Sequence, residues 1–283
     1  MVTPMNADGS LDLDGAARVA TFLADHGHDG IVVSGTTGES PTTSDAEKVA
    51  LVEAVVAAVG DRVRVTAGVG TNDTAHSVEC ARAARSAGAH AVLAVTPYYN
   101  KPPQDGIRAH FEAIAEATDL PVLLYDIPAR SVVPLTEETI RALAAHPRIQ
   151  GMKDAKADYW QAGKLIAETD LTWLSGDDAA NLFHFANGAL GFVGVTSQVA
   201  PEPYAEMLAA VDAGDFTKAR EVHRRLVPLV EAIMTVTQGA IAAKAGLVER
   251  GVLSSAAVRL PLVEASSDLK AQIKHALDLV VPV

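Results

Sequence analysis

A lysine at the end of a short apolar segment is the residue of this sequence best placed for chemistry. The segment Ile149–Ala155 reads IQGMKDA, so Lys153 follows Met152 and precedes the polar Asp154. A lysine held among apolar walls and hydroxyl groups can lose its proton and attack a carbonyl carbon. Taken alone, the segment is more typical of an ordinary strand end with a solvated lysine. The case for Lys153 therefore depends on its surroundings.

Those surroundings come from a unit that repeats along the chain. An apolar run is followed by a polar turn and then by the pattern of an amphipathic helix. Such alternation with short connections predicts parallel strands joined by right-handed crossovers. The predicted strands are Gly30–Ser34, Val63–Ala67, Ala91–Val95, Pro121–Tyr125, Ile149–Lys153, Leu171–Ser175 and Gly191–Val195.

Seven strands and the short segment Met1–Pro4 favour a closed (β/α)8 barrel, a TIM barrel in the α/β class, over an open sheet. An open doubly wound sheet normally has a glycine-rich phosphate turn after its first strand. The segment Gly68–Gly70 lacks the third glycine of that turn and is more typical of a tight bend. The sequence predicts a barrel in residues 1–200, followed by the last barrel helix and a C-terminal helical bundle in residues 201–283.

In a barrel, the residues just after each strand converge on one face, so other side chains join Lys153 there. Thr36 and Thr37 lie between glycines after the first predicted strand, where backbone and hydroxyls can approach a ligand. Turn formation explains these threonines equally well. Tyr125 ends its strand, and a tyrosine inside a barrel needs a hydrogen-bond partner. Arg130 follows in a loop, where a guanidinium suits a carboxylate substrate, although a lone arginine is more typical of a surface ion pair.

Composition argues against several classes of function. The net charge of −12 is unfavourable for binding nucleic acid or an anionic membrane, because both require a basic face. The sequence has no apolar run long enough to span a bilayer and no charged-then-apolar leader at Met1. Cys80 is the single cysteine, so no disulfide framework forms within the chain, which fits a reducing cytoplasm.

Metal chemistry has weak support in the sequence. His26 and His28 come nearest to ligand spacing, but they fall at the end of a predicted helix, where histidine often faces the helix dipole. Asp177 and Asp178 could bind a hard cation, yet a helix N-cap is the commoner use of such residues. There is no Ser-His-Asp order and no nucleophile elbow. A metal-free lysine mechanism remains.

Five motifs occur in order along the chain: GTTGES at Gly35–Ser40, VTPYYNKP at Val95–Pro102, LYDIPAR at Leu124–Arg130, GMKDA at Gly151–Ala155 and LSGDD at Leu174–Asp178. In type and spacing they resemble the motifs of the dihydrodipicolinate synthases, which are pyruvate-dependent class I aldolases. The likeness covers essentially the whole chain. The residues Asp126, Asp154 and Lys156 are similar to those of the actinobacterial branch.

The resemblance implies catalytic roles for four residues and requires no cofactor. Lys153 would form a Schiff base with pyruvate. Tyr125 would transfer protons, linked through Thr36 to Tyr99, and in this family Tyr99 comes from a neighbouring subunit. The resemblance therefore implies a cytoplasmic homotetramer without metal.

The resemblance also implies four residues that bind substrate. Thr37 would hold the carboxylate of pyruvate, and Arg130 would take the carboxylate of aspartate β-semialdehyde. Gly176 and the main-chain carbonyl of Val193 would line the pyruvate pocket. The product would be 4-hydroxy-tetrahydrodipicolinate, an intermediate of lysine and diaminopimelate biosynthesis.

The sequence departs from the family pattern at several positions. Relatives often have Asn, Ser and Thr where this chain has Asp126, Ala129 and Ser131, and the segment after the last strand reads VTSQ at Val195–Gln198. Only two residues precede the Thr-Pro pair at Thr3, so we expect a shortened first strand and further residues upstream in the gene. Two alternatives stay open: a sialate or sugar-acid lyase, which shares the Schiff-base lysine, and a catalytically impaired scaffold.

The resemblance leads to a prediction about regulation by lysine. Relatives inhibited by lysine have a glutamate at the position of His76 and a histidine at that of Lys48. At these positions this chain lacks the negative charge of the glutamate and has the added positive charge of Lys48. That positive charge opposes binding of the ammonium groups of lysine by about 1 to 4 kcal/mol. We expect initial rates that are unchanged by millimolar L-lysine. Half-inhibition at sub-millimolar concentration would show that these two positions do not decide the response.

Overall fold

Seven strands form in the apolar runs of the sequence. The computed structural model describes residues 1–281. Its strands lie in one sheet in sequential order, and every pair from the second strand to the seventh is parallel. They are β1 (Gly30–Val33), β2 (Arg64–Gly68), β3 (Ala91–Val95), β4 (Val122–Asp126), β5 (Ile149–Asp154), β6 (Thr172–Ser175) and β7 (Gly191–Phe192). This strictly sequential order is the topology predicted for the (β/α)8 class.

The helices alternate with these strands and then continue alone. The first eight are α1 (Leu13–Asp25), α2 (Asp45–Val59), α3 (Thr74–Ser86), α4 (Gln104–Glu116), the single turn α5 (Pro128–Ser131), α6 (Glu137–Ala144), α7 (Tyr159–Glu168) and α8 (Asn181–Ala186). The last four are α9 (Pro201–Asp212), α10 (Phe216–Met234), α11 (Gly239–Glu249) and α12 (Ser267–Val280). These last four lie in the region where the sequence predicts helices and no further strands.

The chain forms two compact units. Unit 1 consists of Met1–Val65 and Gly194–Val283, and unit 2 consists of Thr66–Val193. Unit 2 contains five complete strands, β3 to β7, and the helices α3 to α8. The division at residue 200 that the sequence suggested stays a prediction.

The core of unit 2 explains why its strands are continuously apolar. Val92, Leu93 and Ala94 are all buried on β3, as is typical of a parallel sheet covered on both faces. The bend after β2 needs a glycine at position 70, because a Cβ there would lie 2.3 Å from the backbone nitrogen of Val95. The tight bend predicted for Gly68–Gly70 is thus a consequence of close backbone packing.

Hydrogen bonds from side chains set the starts of two helices. A capping box is present at the start of α2: the Ser44 hydroxyl accepts from the backbone N–H of Glu47, and the Glu47 carboxylate accepts from the backbone N–H of Ser44. Helix α1 begins at Leu13, since the Asp12 carboxylate caps it by accepting from the N–H of Gly15 at 2.7 Å.

The last strand is shorter than predicted. Strand β7 ends at Phe192, whereas the apolar run continues to Val195. The backbone of Val195 already has helical angles, and Thr196–Gln198 form a 3-10 turn. Apolar composition alone could not distinguish this turn from more strand.

The first residues form no strand within the part of the chain that the structure describes. The amine of Met1 nevertheless donates to the carbonyl of Val32 in β1. The N–H of Val2 donates to Oε1 of Gln198 at 2.7 Å, and the hydroxyl of Thr3 donates to the carbonyl of Gly38 at 2.6 Å. These bonds, all within unit 1, satisfy backbone groups that a strand would otherwise pair.

Unit 1 contains a buried ion pair. The ammonium of Lys244 on α11 donates to the carboxylate of Glu39 and to the carbonyl of Ala257 at 2.6 Å. Both charged side chains are almost fully inaccessible to solvent, at 0% and 1% exposure. Glu39 also accepts from the N–H of Arg259 at 3.0 Å, so the buried carboxylate has several donors.

The helices of residues 1–281 differ in length and apolarity. None of them could by itself cross a membrane, and only α10 with α11, which form a bent pair, meet the requirement together by length and composition.

Candidate active site

Strands β4 and β5 bring Tyr125 and Lys153 side by side. The two residues are register partners in the parallel pair. Tyr125 is buried at 5% exposure, and the Nζ atom of Lys153 lies 4.0 Å from the centroid of the tyrosine ring. Because neighbouring positions of a parallel sheet face the same side, the amine and the phenol belong to one site.

Gly176 forms a wall beside the lysine. It follows β6, and its N–H donates to the carbonyl of Asp154 at 2.7 Å. A Cβ at position 176 would lie 3.0 Å from Cγ of Lys153 and 3.1 Å from Cβ of Ala155. A side chain at this position would press on the lysine stem and on Ala155, and glycine avoids that contact.

In unit 2, Val193 follows β7 and Arg130 follows β4. The N–H of Val193, just after β7, donates to the carbonyl of Ser175 at 2.8 Å. Arg130 lies in α5, in the segment that follows β4, and is exposed. Its side chain has no ion-pair partner within residues 1–281. The guanidinium is therefore available to an anion.

Tyr99 lies in the segment after β3 with its side chain 86% exposed. Its φ of +73° is rare for a residue with a side chain and stores strain, which is frequent at functional sites. The next residue, Asn100, donates from its side chain to the carbonyl of Asn72 at 2.9 Å and so fixes the segment. Tyr99 is held in this conformation although it packs little against its own chain.

Thr36 and Thr37 lie in unit 1, in the turn after β1. Both are half-buried between Gly35 and Gly38. The N–H of Gly38 donates to the carbonyl of Gly35 at 3.0 Å and closes the turn. Unit 2 contains the other six predicted site residues, and among these the structure brings Lys153, Tyr125 and Gly176 together.

Behind this site lies a second layer of ionisable residues, for which the sequence predicted no role. Asp126 and Asp154 end β4 and β5, again as register partners, one position beyond the tyrosine and the lysine. Burial raises the pKa of Asp126 to about 7. Burial also raises the pKa of Asp154 and lowers that of the nearby His184. The one available signal was their sequence position, an acid directly after each active-site residue.

The fold and the site define a class of protein. A parallel strand–helix topology, with a lysine at the end of a strand beside a buried tyrosine, is typical of enzymes that attack carbonyl substrates through a lysine. The chain belongs to the dihydrodipicolinate synthetase family, whose model matches residues 1–279. The resemblance inferred from the five motifs is thereby confirmed.

Similar proteins and solved structures agree with this assignment. The chain is 57% identical to a 4-hydroxy-tetrahydrodipicolinate synthase of Kineococcus radiotolerans, over 99% of this chain and 91% of the relative. It is 56% identical to the enzyme of the same name from Mycolicibacterium paratuberculosis, over 95% and 89%. Its structure matches dihydrodipicolinate synthase from Cyanidioschyzon merolae, solved with lysine bound, with a TM-score of 0.95 and 36% identity over 100% and 97% of the two chains. The enzyme from Acinetobacter baumannii, solved with pyruvate, matches with a TM-score of 0.95 and 33% identity over the same shares.

Proposed function

We propose that this chain condenses pyruvate with aspartate β-semialdehyde to give 4-hydroxy-tetrahydrodipicolinate, in lysine and diaminopimelate biosynthesis. The observation that supports this most directly is the contact of the Lys153 amine with the Tyr125 ring at the ends of adjacent parallel strands. A nucleophile and a proton carrier are the two groups that such a condensation needs. The identity of 57% to a curated synthase is consistent with the proposal.

The proposed reaction proceeds through covalent intermediates on Lys153. Its neutral amine adds to the keto carbon of pyruvate, and loss of water leaves an imine. Removal of a methyl proton gives an enamine, whose carbon bonds to the aldehyde carbon while the aldehyde oxygen gains a proton. The amino group of the second substrate then displaces the lysine at the imine carbon, which closes the ring and releases the free amine. The Tyr125 hydroxyl is the proposed carrier of these protons.

The binding roles follow the family resemblance. Thr37, Gly176 and the carbonyl of Val193 would hold pyruvate, and Arg130 would bind the carboxylate of the aldehyde substrate. Arg130 is exposed and unpaired in the described chain, which supports this role. No metal or cofactor takes part in the proposed mechanism, and we propose that the enzyme acts in the cytoplasm.

We also propose a homotetramer in which Tyr99 reaches the site of a neighbouring copy, where Thr36 links it to Tyr125. The exposure of 86% and the fixed, strained backbone of Tyr99 support a role towards a second chain. One solved relative, 35% identical with a TM-score of 0.94, is described as the first monomeric variant of this enzyme. A monomer that is fully active at assay concentration would contradict the proposed assembly.

Turnover of the purified chain tests the proposed function. With pyruvate and aspartate β-semialdehyde we expect both substrates to be consumed and the cyclic product to form. Cleavage of sialate or of 2-keto-3-deoxy sugar acids, without this condensation, would identify one of the related lyases instead. No turnover and no pyruvate adduct would identify a scaffold.

Replacing Tyr125 with phenylalanine should lower kcat by about a hundredfold or more, because general acid–base catalysis contributes at least that much. The ring and its contact with Lys153 remain, so prolonged incubation with pyruvate should still give the adduct. Tyr159→Phe is the matched control, since that ring stacks on Phe183, whereas the Lys153 amine lies over the Tyr125 ring. An unchanged kcat for Tyr125→Phe would remove this residue from the proton relay.

A further inference from the structure

The segment that carries Arg130 is closed at its base by a buried carboxyl group. Asp126 ends β4, and the segment returns to the core at Leu135. Oδ2 of Asp126 accepts a hydrogen bond from the N–H of Leu135 at 3.0 Å. Both residues have 0% exposure, so water cannot replace this bond. The side chain of Asp126 thus joins the two ends of the segment Ile127–Pro134.

A lysine from the neighbouring strand end fixes the same residue. The ammonium of Lys156 donates to the carbonyl of Leu135 at 2.9 Å and to Oε1 of Gln161. The backbone N–H of Lys156 donates to Oδ1 of Asp154 at 2.9 Å, directly after β5. Leu135 therefore has both of its backbone polar groups bound, one by a side chain from β4 and the other by a side chain from just after β5.

The anchor continues to a third strand. Oδ2 of Asp154 accepts from Nε1 of Trp173 on β6 at 3.2 Å, in the buried interior. Two carboxyl groups, an ammonium and an indole thus connect the ends of β4 and β5, and Trp173 within β6, with the base of the segment. We call Asp126, Leu135, Lys156, Asp154 and Trp173 the anchor network.

The segment itself is short and internally bonded. The N–H of Arg130 donates to the carbonyl of Ile127 at 2.9 Å, and the hydroxyl of Ser131 donates to the same carbonyl at 3.1 Å. Val132 ends the turn at a φ of +71°. Because these hydrogen bonds close the turn, a shift of the base of the segment moves the Arg130 backbone with it.

The charge state of Asp126 matters little to this anchor, because the bond from Leu135 needs only an acceptor oxygen. Oδ1 has no hydrogen-bond partner among the described residues. Burial raises the pKa of this carboxyl to about 7, with the hydrogen bond from Leu135 and the charge of Lys156 opposing the shift and Asp154 adding to it. An asparagine supplies the same acceptor without a charge.

We infer that Asp126 and Lys156 are positioning residues that hold the Arg130 segment through Leu135 and thereby set the affinity for the carboxylate of the aldehyde substrate. This inference rests on the proposed function, in which Arg130 binds that carboxylate. In this role both residues act through Leu135 and not by contact with substrate. The role is specific to the second substrate. The pairing of β4 with β5 sets the positions of the Lys153 amine and the Tyr125 ring, whereas the bonds to Leu135 set the position of the segment.

Steady-state kinetics with both substrates test the inference. For Asp126→Ala we expect the KM for aspartate β-semialdehyde to rise about tenfold, since a displaced guanidinium loses a charge-assisted hydrogen bond. The KM for pyruvate and the yield of the borohydride-trapped pyruvate adduct should stay within about twofold. Asp126→Asn should behave like the original chain, because the acceptor is kept.

The other variants make the outcomes distinguishable. Lys156→Met removes the second bond to Leu135 and should raise the same KM, which also provides a test if Asp126→Ala does not fold. Equal behaviour of Asp126→Asn and Asp126→Ala, or a rise in both KM values together, would overturn the inference. Arg130→Ala should itself raise the KM for the aldehyde; no change there means that the proposed role of Arg130 fails. If the KM for the aldehyde rises for Arg130→Ala but for neither Asp126→Ala nor Lys156→Met, the proposed role of Arg130 holds and only the inference fails.

Discussion

Replacing Lys153 with alanine is expected to abolish the adduct that borohydride traps from pyruvate, and to lower turnover by several orders of magnitude. The imine needs a nitrogen at the place where Nζ lies, 4.0 Å from the centre of the Tyr125 ring. Removal of a covalent nucleophile leaves only the residual catalysis of binding and polar groups, and in other enzymes that loss reaches about a million-fold. The measurement combines the mass of the reduced protein with kcat for pyruvate and aspartate β-semialdehyde.

Two other lysines provide matched controls for this prediction. Lys101 is exposed on the segment after β3, and Lys156 uses its ammonium to bind Leu135 and Gln161. Lys101→Ala and Lys156→Ala should both keep the adduct, and peptide mapping should place it at position 153. An adduct that persists in Lys153→Ala would show that another amine is the nucleophile.

The pairing of Lys153 with Tyr125 could be predicted because it depends on strand order alone. Continuous apolar runs identified β4 and β5, and sequential parallel strands place their ends next to each other. The register then brings the last residues of the two runs together. No loop had to be predicted for this result.

The anchor network could not be predicted in the same way. The bond from Leu135 to Asp126 joins residues nine positions apart, and it forms only because the intervening segment turns back on itself. Sequence patterns describe runs and periods, whereas this contact depends on the path of an irregular loop. In the sequence, Asp126 stands out only as an acid directly after Tyr125, where many relatives have asparagine.

The ion-pair partner of Lys244 could be predicted even less from the sequence. Glu39 lies 205 residues earlier in the chain, in the motif Gly35–Ser40. In that motif the sequence predicts a role for the two threonines and none for the glutamate. The helix around Lys244 reads GAIAAKAGLVE, and a single lysine in such a run is usually expected to reach solvent. Its complete burial depends on a carboxylate that no local pattern indicates.

Replacing Lys244 with alanine is expected to destabilise the fold by about 3 to 5 kcal/mol, the usual consequence of removing one member of a buried ion pair. Burial lowers the pKa of Lys244, and the bond from its ammonium to Glu39 opposes that shift. Without the lysine, the carboxylate of Glu39 stays buried with the N–H of Arg259 as its remaining donor in the described network, and the carbonyl of Ala257 loses its donor. The free energy of unfolding, measured by urea denaturation, checks the prediction.

Two comparisons separate the buried charge from a general effect of losing a lysine. Lys274→Ala removes an ion pair with Glu249 in which both partners are exposed, at 59% and 38%, so its effect on the free energy of unfolding should be small beside that of Lys244→Ala. The double variant Glu39→Gln with Lys244→Met removes both charges yet keeps an acceptor for Arg259, and should recover much of the lost stability, because replacing a buried pair completely is often neutral. Equal effects of Lys244→Ala and Lys274→Ala would mean that Glu39 is solvated or neutral when the lysine is absent. Recovery in the double variant would instead show that the unpaired carboxylate, and not the missing side-chain volume, is what destabilises unit 1.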